Sequence, residues 1–160
     1  MHKNIIIIVM EMKKKTFIVI VILLILLMIA LYLVYIFKNN VSSEEKKITS
    51  EYEAYYNQEK TGTELVSIIN KTADINNKNN IQKNEDNLYE ENETNSIKIY
   101  IGFLYKDETR IIEMEKIINN GINSFIKAYS TAKFKCTEVT YHNKSKNVKS
   151  LTFIQTEDWF

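Results

Sequence analysis

The chain has 160 residues, of which 26% are charged, with a formal net charge of +1. That length accommodates one membrane segment and one small domain of about 100 residues, and a mixed-sign surface near neutrality carries no electrostatic footprint for nucleic acid. A single cysteine, Cys136, excludes an intramolecular disulfide and a zinc site built from paired cysteines.

Residues 1–15 form a short N-terminal segment expected in the cytoplasm. Its apolar run Ile5 to Met10 is too short to cross a bilayer, and Met10 or Met12 directly before three lysines is the more ordinary start for an anchor. Thr16 to Phe37, "TFIVIVILLILLMIALYLVYIF", then runs for 22 residues without a charge, a glycine or a proline. As a helix it is about 33 Å long at ~1.5 Å per residue, enough for a hydrocarbon core of ~30 Å. A removable signal has a shorter apolar core and a small-residue exit; only Ala30 is small here. The segment is therefore expected to stay as a single-pass anchor. Lys13, Lys14 and Lys15 abut one end and Lys38 the other. By the positive-inside rule the N-terminus is expected in the cytoplasm and Asn39 to Phe160 outside, with Tyr32, Tyr35 and Phe37 at the outer interface.

Residues 38–60 read as a juxtamembrane helix or linker, in which Ile48, Tyr52, Tyr55 and Tyr56 recur at helical spacing. Such a helix either continues the anchor or follows a break near Asn39–Ser43. Residues 61–160 read as the outer domain. It opens on "TGTE", where Thr61 and Glu64 have the spacing of a capping box and Leu65, Ile68, Ile69 and Thr72 line one helical face. With Gly62 alone and no GK[ST], this is not a phosphate loop. Residues 76–95 are Asn-rich and predict a mobile loop with a short strand at Leu88–Tyr89. Asn70, Asn92 and Asn143 head N-x-[ST] triplets, which an Asn-rich chain contains by chance.

Ile97, Ile99, Ile101 and Phe103 alternate and predict a strand. "KDET" then predicts a turn and a helix start, followed by a helix from Ile111 through Met114, Ile118, Ile122 and Phe125 to Tyr129. Gly121 inside that pattern predicts a close approach to the sheet. The end of the chain predicts two strands around Asn143–Asn147. Phe134 and Cys136 have one parity and Val139 and Tyr141 the other, so either both faces are partly covered or a bulge near Thr137–Glu138 resets the register. The predicted class is α+β: a transmembrane helix, then about three antiparallel strands with two or three helices on one face.

No catalytic constellation emerges. Cys136 and His142 are six residues apart, about 20 Å along a strand, and His2 lies across the expected membrane. Glu113 and Glu115, read on one helix, point in different directions. Glu90, Glu91 and Glu93 lack the pattern of a calcium loop. Trp159 and Phe160 offer an aromatic tail for a partner or for their own domain. The expectation is no enzyme, no metal and no cofactor. The expected partners are the lipid bilayer and either a protein or further copies of the chain at the membrane, with no nucleic acid.

The stretches "YYNQEKTGTELVSIINKTADINNKN" and "MEKIINNGINSFIKAYSTAKFKCTEVTYHNKS" resemble a group of uncharacterised small single-pass membrane proteins of low-GC Firmicutes, clostridial in type. The resemblance covers Thr16 to about Glu157 and rests on patterns of fold, "TGTE" with "IINK" and "FKC" with "YH", with no catalytic residue to carry over. It implies a Firmicute host and a layout distantly like that of pilins. The composition agrees: Lys outnumbers Arg 20 to 1, Ile occurs 25 times and Asn 18 times, all favoured by A/T-rich codons. The anchor is similar in shape to a type IV pilin stem. It departs from one in having no Gly before the apolar run and no Glu at its fifth position.

Overall fold

The computed structural model describes residues 2–105 and 108–156, without the side chains of residues 2–15, 40 and 41. Two compact units divide the chain at Glu44/Glu45. Its described residues all belong to helix α1, His2–Glu53. Every residue from Thr16 to Phe37 is exposed in it, Leu24 by 56% and Leu27 by 56%. This one helix is long and apolar enough to cross a membrane.

The second unit holds the last turns of α1 and a five-stranded sheet with three helices. The strands are β1 (Glu59–Thr61), β2 (Lys98–Tyr105), β3 (Glu108–Glu113), β4 (Lys133–Tyr141) and β5 (Val148–Gln155), in the order β1-β4-β5-β2-β3. The helices are α2 (Gly62–Lys78), α3 (Met114–Asn120) and α4 (Ile122–Tyr129). The α+β class is as expected, and the sheet departs from the expectation in two ways. It has five strands where about three were predicted, and β2 pairs with β5 in parallel, Ile99 opposite Leu151 and Ile101 opposite Phe153. The parallel pairing is possible because β3, α3 and α4 lie between β2 and the β4–β5 hairpin and supply the long crossover it needs. On the far side of β4 the edge is taken by β1, with Cys136 N–H donating to the Gln58 carbonyl at 3.0 Å.

The predicted long helix from Ile111 is also corrected. Glu108–Glu113 forms β3 and pairs with β2 from Tyr105↔Glu108 to Tyr100↔Glu113. Its run Thr109, Arg110, Ile111, Ile112 is rich in β-branched residues, which suit a pleated surface, and a cross-strand partner overrides the helical spacing. Gly121 then splits the helix. Its φ is +93°, a conformation that disfavours any side chain, and a Cβ there meets only the Ser124 hydroxyl at 3.9 Å. It marks the break between α3 and α4 rather than a close approach. The close approach is at Gly62, where a Cβ collides with the Tyr129 carbonyl oxygen.

The inner face of the sheet carries the core. Ile99, Ile101, Phe134, Cys136, Leu151 and Phe153 are fully buried beneath Leu65 and Ile69 of α2, Met114 of α3 and Tyr52 of α1. Each such side chain contributes about 1.5–3 kcal/mol when buried. A bulge in β4 between Cys136 and Glu138 keeps Val139 opposite Leu151 on this face, the second of the two alternatives left by the parity change. α1 includes Ile48 and Tyr52 without a break at Asn39–Ser43, and Tyr55 and Tyr56 lie in the turn after it. The Tyr52 hydroxyl pairs with that of Thr72 at 2.7 Å, and burial pushes its pKa well above the ordinary tyrosine range.

Thr61 caps α2. Its side chain accepts from the Glu64 amide at 3.3 Å, and the Glu64 carboxylate accepts from the Thr61 amide at 2.8 Å. That amide hydrogen bond, with the Thr61 hydroxyl, holds the Glu64 carboxyl below the usual range. Its stabilisation is present at neutral pH and is lost as pH falls through the depressed value. Thr61→Ala is expected to destabilise by about 1 kcal/mol, lowering Tm by roughly 4–8 °C in a domain of this size. An unchanged melt would show that the cap is redundant.

Residues 76–95 contribute to the packed unit. Asn76, the last buried residue of α2, donates to the Ile97 carbonyl at 2.8 Å and accepts from its amide at 2.9 Å, so its side chain acts as a strand partner at the entrance to β2. Tyr89 forms a single bridge with Lys83, is 2% exposed, and donates its hydroxyl to Asn77 at 2.8 Å.

Candidate functional site

Cys136 and His142 do not come together. Cys136 is buried on the inner face, and burial pushes its thiol up to about 11. A thiol there is protonated and unreactive at neutral pH. A maleimide is expected to leave it unmodified in the native chain and to label it after denaturation; equal rates in both states would contradict its burial. His142 is 3% exposed and lies at the end of β4, with Nε2 2.7 Å from the Ser96 carbonyl oxygen. It fastens the entrance to β2 and does not meet Cys136.

Two carboxylates of the acidic run are paired with lysines. Glu91 meets Lys149 at 2.8 Å, and Glu93 meets Lys144. These pairs line a polar groove of about 480 Å³ beside Tyr141 and Asn143. No cluster of His, Cys, Asp and Glu suited to a metal occurs among the described residues.

Glu113 and Glu115 depart most from the sequence reading. Because α3 begins at Met114, Glu113 ends a strand and Glu115 opens a helix, and the helical spacing that separated them does not apply. Both reach Lys98, at 2.9 Å and 3.4 Å. Glu115 is 1% exposed; its Oε1 accepts from the Tyr89 amide at 3.1 Å, while Oε2 is buried without a partner. Burial disfavours the Lys98 charge. The hydrogen bond to Glu113 and the charges of Glu115 and Glu113 outweigh it and hold the ammonium above the usual lysine range. This cluster ties the 76–95 stretch to the sheet. No sequence pattern marked Lys98, which lies between the buried Ile97 and Ile99.

A second feature lies on the helical side, where the break at Gly121 separates α3 from α4 beside β2 and β3. Here a groove of about 270 Å³ has walls of Phe103, Ile112, Ile117, Phe125 and Tyr129 and a rim of Lys116, Asn120 and Ser124. Its aromatic rings are packed together: Phe103 lies 5.0 Å from Tyr129 and 6.2 Å from Phe125 between centroids. The alternation in β2 and the helical spacing in α4 marked these rings, but only as core. That they remain half open depends on the break at Gly121.

Lys13, Lys14 and Lys15 fall within α1, but their side chains, like Met10 and Met12, lie outside those described. Trp159 and Phe160 lie outside the described residues. No family model matches the chain, and neither a curated protein nor a solved structure is significantly similar to it. What the structure shows of the expected resemblance is the layout alone: a long apolar N-terminal helix followed by a small mixed α/β domain.

Proposed function

We propose that the chain is a single-pass plasma-membrane protein that holds a small α+β domain outside the cell, for binding or assembly at the surface rather than catalysis. The observation that carries this reading is the 22-residue apolar stretch Thr16–Phe37, exposed throughout its length. Leaving so much apolar surface in water is unfavourable by about 25 cal/mol per Å², and a bilayer removes that penalty. The lysine asymmetry supports a cytoplasmic N-terminus. The Firmicute host belongs to the same reading, on the strength of codon-biased composition and the resemblance.

Protease applied to intact cells tests the orientation. The expected result is removal of epitopes within Asn39–Phe160 and survival of an N-terminal tag. Protection of the domain until the cells are lysed would reverse the topology. A second reading, a minor pilin or pseudopilin-like subunit of a secretion or filament machine, is favoured by one observation. Ile48 and Tyr52, on the same helix as the apolar segment, pack within the sheet domain, as a stem helix does in a pilin-like layout. The mature N-terminus separates the two: processing near Phe17 supports a pilin, and a retained lysine cluster supports an anchor.

A further inference from the structure

We propose that two copies of the chain join their sheets edge to edge, β3 against β3 in antiparallel pairing about a two-fold axis at Thr109.

β3 ends the sheet order β1-β4-β5-β2-β3, so its side away from β2 has no strand among the described residues. Glu108, Thr109, Arg110 and Ile111 are exposed in succession. Side chains on both faces of the strand are therefore open, and so is the row of backbone N–H and C=O groups between them. Proteins blunt such an edge by keeping it short or by placing lysine, proline or a bulge in it. The opposite edge is short: β1 has three residues, two of them half-buried. β3 has six residues with no lysine or proline, pairs with β2 without a bulge, and carries the exposed Ile111. What satisfies such a row is another extended backbone.

Charge identifies that backbone as a second β3. Glu108 and Arg110 lie on one face of the sheet with their partners Tyr105 and Phe103, and Arg110 lies over the Tyr105 ring at 5.4 Å. Neither forms an ion pair among the described residues. A two-fold axis normal to the sheet brings each residue opposite one of the same face, so the axis passes through a residue. Centred on Glu108 or Arg110, the pairing sets like charges directly opposite, which is destabilising. Centred on Ile111 or Ile112, it sets Arg110 opposite Ile112 or Met114 and Glu108 past the end of the second β3. Centred on Thr109, it sets Glu108 opposite Arg110 of the second copy, and Arg110 opposite Glu108 of that copy. Two opposite-charge pairs form at once, and an isologous contact of this kind closes as a dimer.

The pairing gives the assembly reading above its partner and rests on that reading, though not on which side of the membrane the domain occupies. Directly opposite residues have Cα atoms about 4.5–5.5 Å apart, within the ~4.4–6.8 Å span of a disulfide. Thr109→Cys, oxidised with copper phenanthroline in native membranes, is expected to give a dimer band several-fold stronger than Ile111→Cys does. Thr109 and Ile111 are both exposed and share the other face, where both lie over Gly102. Across this axis the two Ile111 residues are four positions out of register, ~14 Å at ~3.4 Å each. Cys136 is buried and takes no part.

In the Thr109→Cys background, Glu108→Arg and Arg110→Glu are each expected to lower the dimer band several-fold, and the two together to restore it. All four positions are exposed, and unchanged circular dichroism would confirm that each variant folds. Equal bands from Thr109→Cys and Ile111→Cys would show random collision and overturn the proposal, as would a double charge variant no better than either single one. A cross-link from Thr109→Cys only to a different protein assigns the edge to another partner and also overturns it. A chain that stays in the membrane fraction without a Thr109→Cys dimer overturns the pairing and leaves the anchor standing.

Discussion

Lysines at Leu24, Leu27 and Ile29 together are expected to release the chain from the membrane, whereas Leu27→Lys alone leaves it inserted. Near the centre of a spanning helix, Leu, Ile, Val and Phe each favour insertion by about 0.3–0.6 kcal/mol, and lysine opposes it by about 2.5–3.5 kcal/mol. The 22 uncharged residues from Thr16 to Phe37 therefore carry a surplus on the order of 8 kcal/mol on that scale. One central lysine removes less than half of it. Three remove all of it, and none of the three positions is near enough to an end for its ammonium to snorkel to the interface. Carbonate extraction of a membrane fraction is the readout. The single variant is expected in the pellet and the triple variant in the supernatant or degraded. A triple variant that remains integral would show that something other than this helix holds the chain.

Lys98→Met is expected to destabilise the domain by about 3–5 kcal/mol, because it leaves the buried Glu115 carboxylate without its counter-charge. Against a typical total of ~5–15 kcal/mol for a domain, that is a large share. Adding Glu115→Gln is expected to recover most of the loss. The amide oxygen still accepts from the Tyr89 N–H, and no charge is left buried. Glu113 is 30% exposed at its side chain and stays solvated in either background. Denaturant titration of the parent, the single variant and the double variant gives the comparison; a double variant no more stable than Lys98→Met would assign the loss to packing. The pH dependence has a definite sign. Lys98 is held above its unfolded value, so its contribution is complete below the ordinary lysine pKa of about 10.4 and is lost only as pH rises through the folded value. The contribution of Lys98 is thus expected to be constant near neutrality and to be lost in alkali.

Some of this molecule was open to reading in one dimension. Thr16–Phe37 declares itself because a run without charge needs no partner from elsewhere to be recognised. The Thr61–Glu64 cap, the strand from Ile97, the final hairpin and the bulge between Cys136 and Glu138 are also local: each depends on residues within a few positions of one another and on the two periods, 2 and 3.6, that backbone geometry imposes. The tertiary structure decided what depends on distant neighbours. Ile111 and Ile112 fit a helix by spacing and became a strand because β2 was there to pair with them. β2 took a parallel place beside β5, a choice that no pattern within either strand encodes. Lys98 and Glu115 became a buried ion cluster because β2 and the first turn of α3 meet in space, and the aromatic groove opened where the break at Gly121 separates α3 from α4 beside Phe103. Local geometry and hydrophobic periodicity suffice to write the elements; their neighbours, and the groups that end up shielded from water, are set by contacts across the chain.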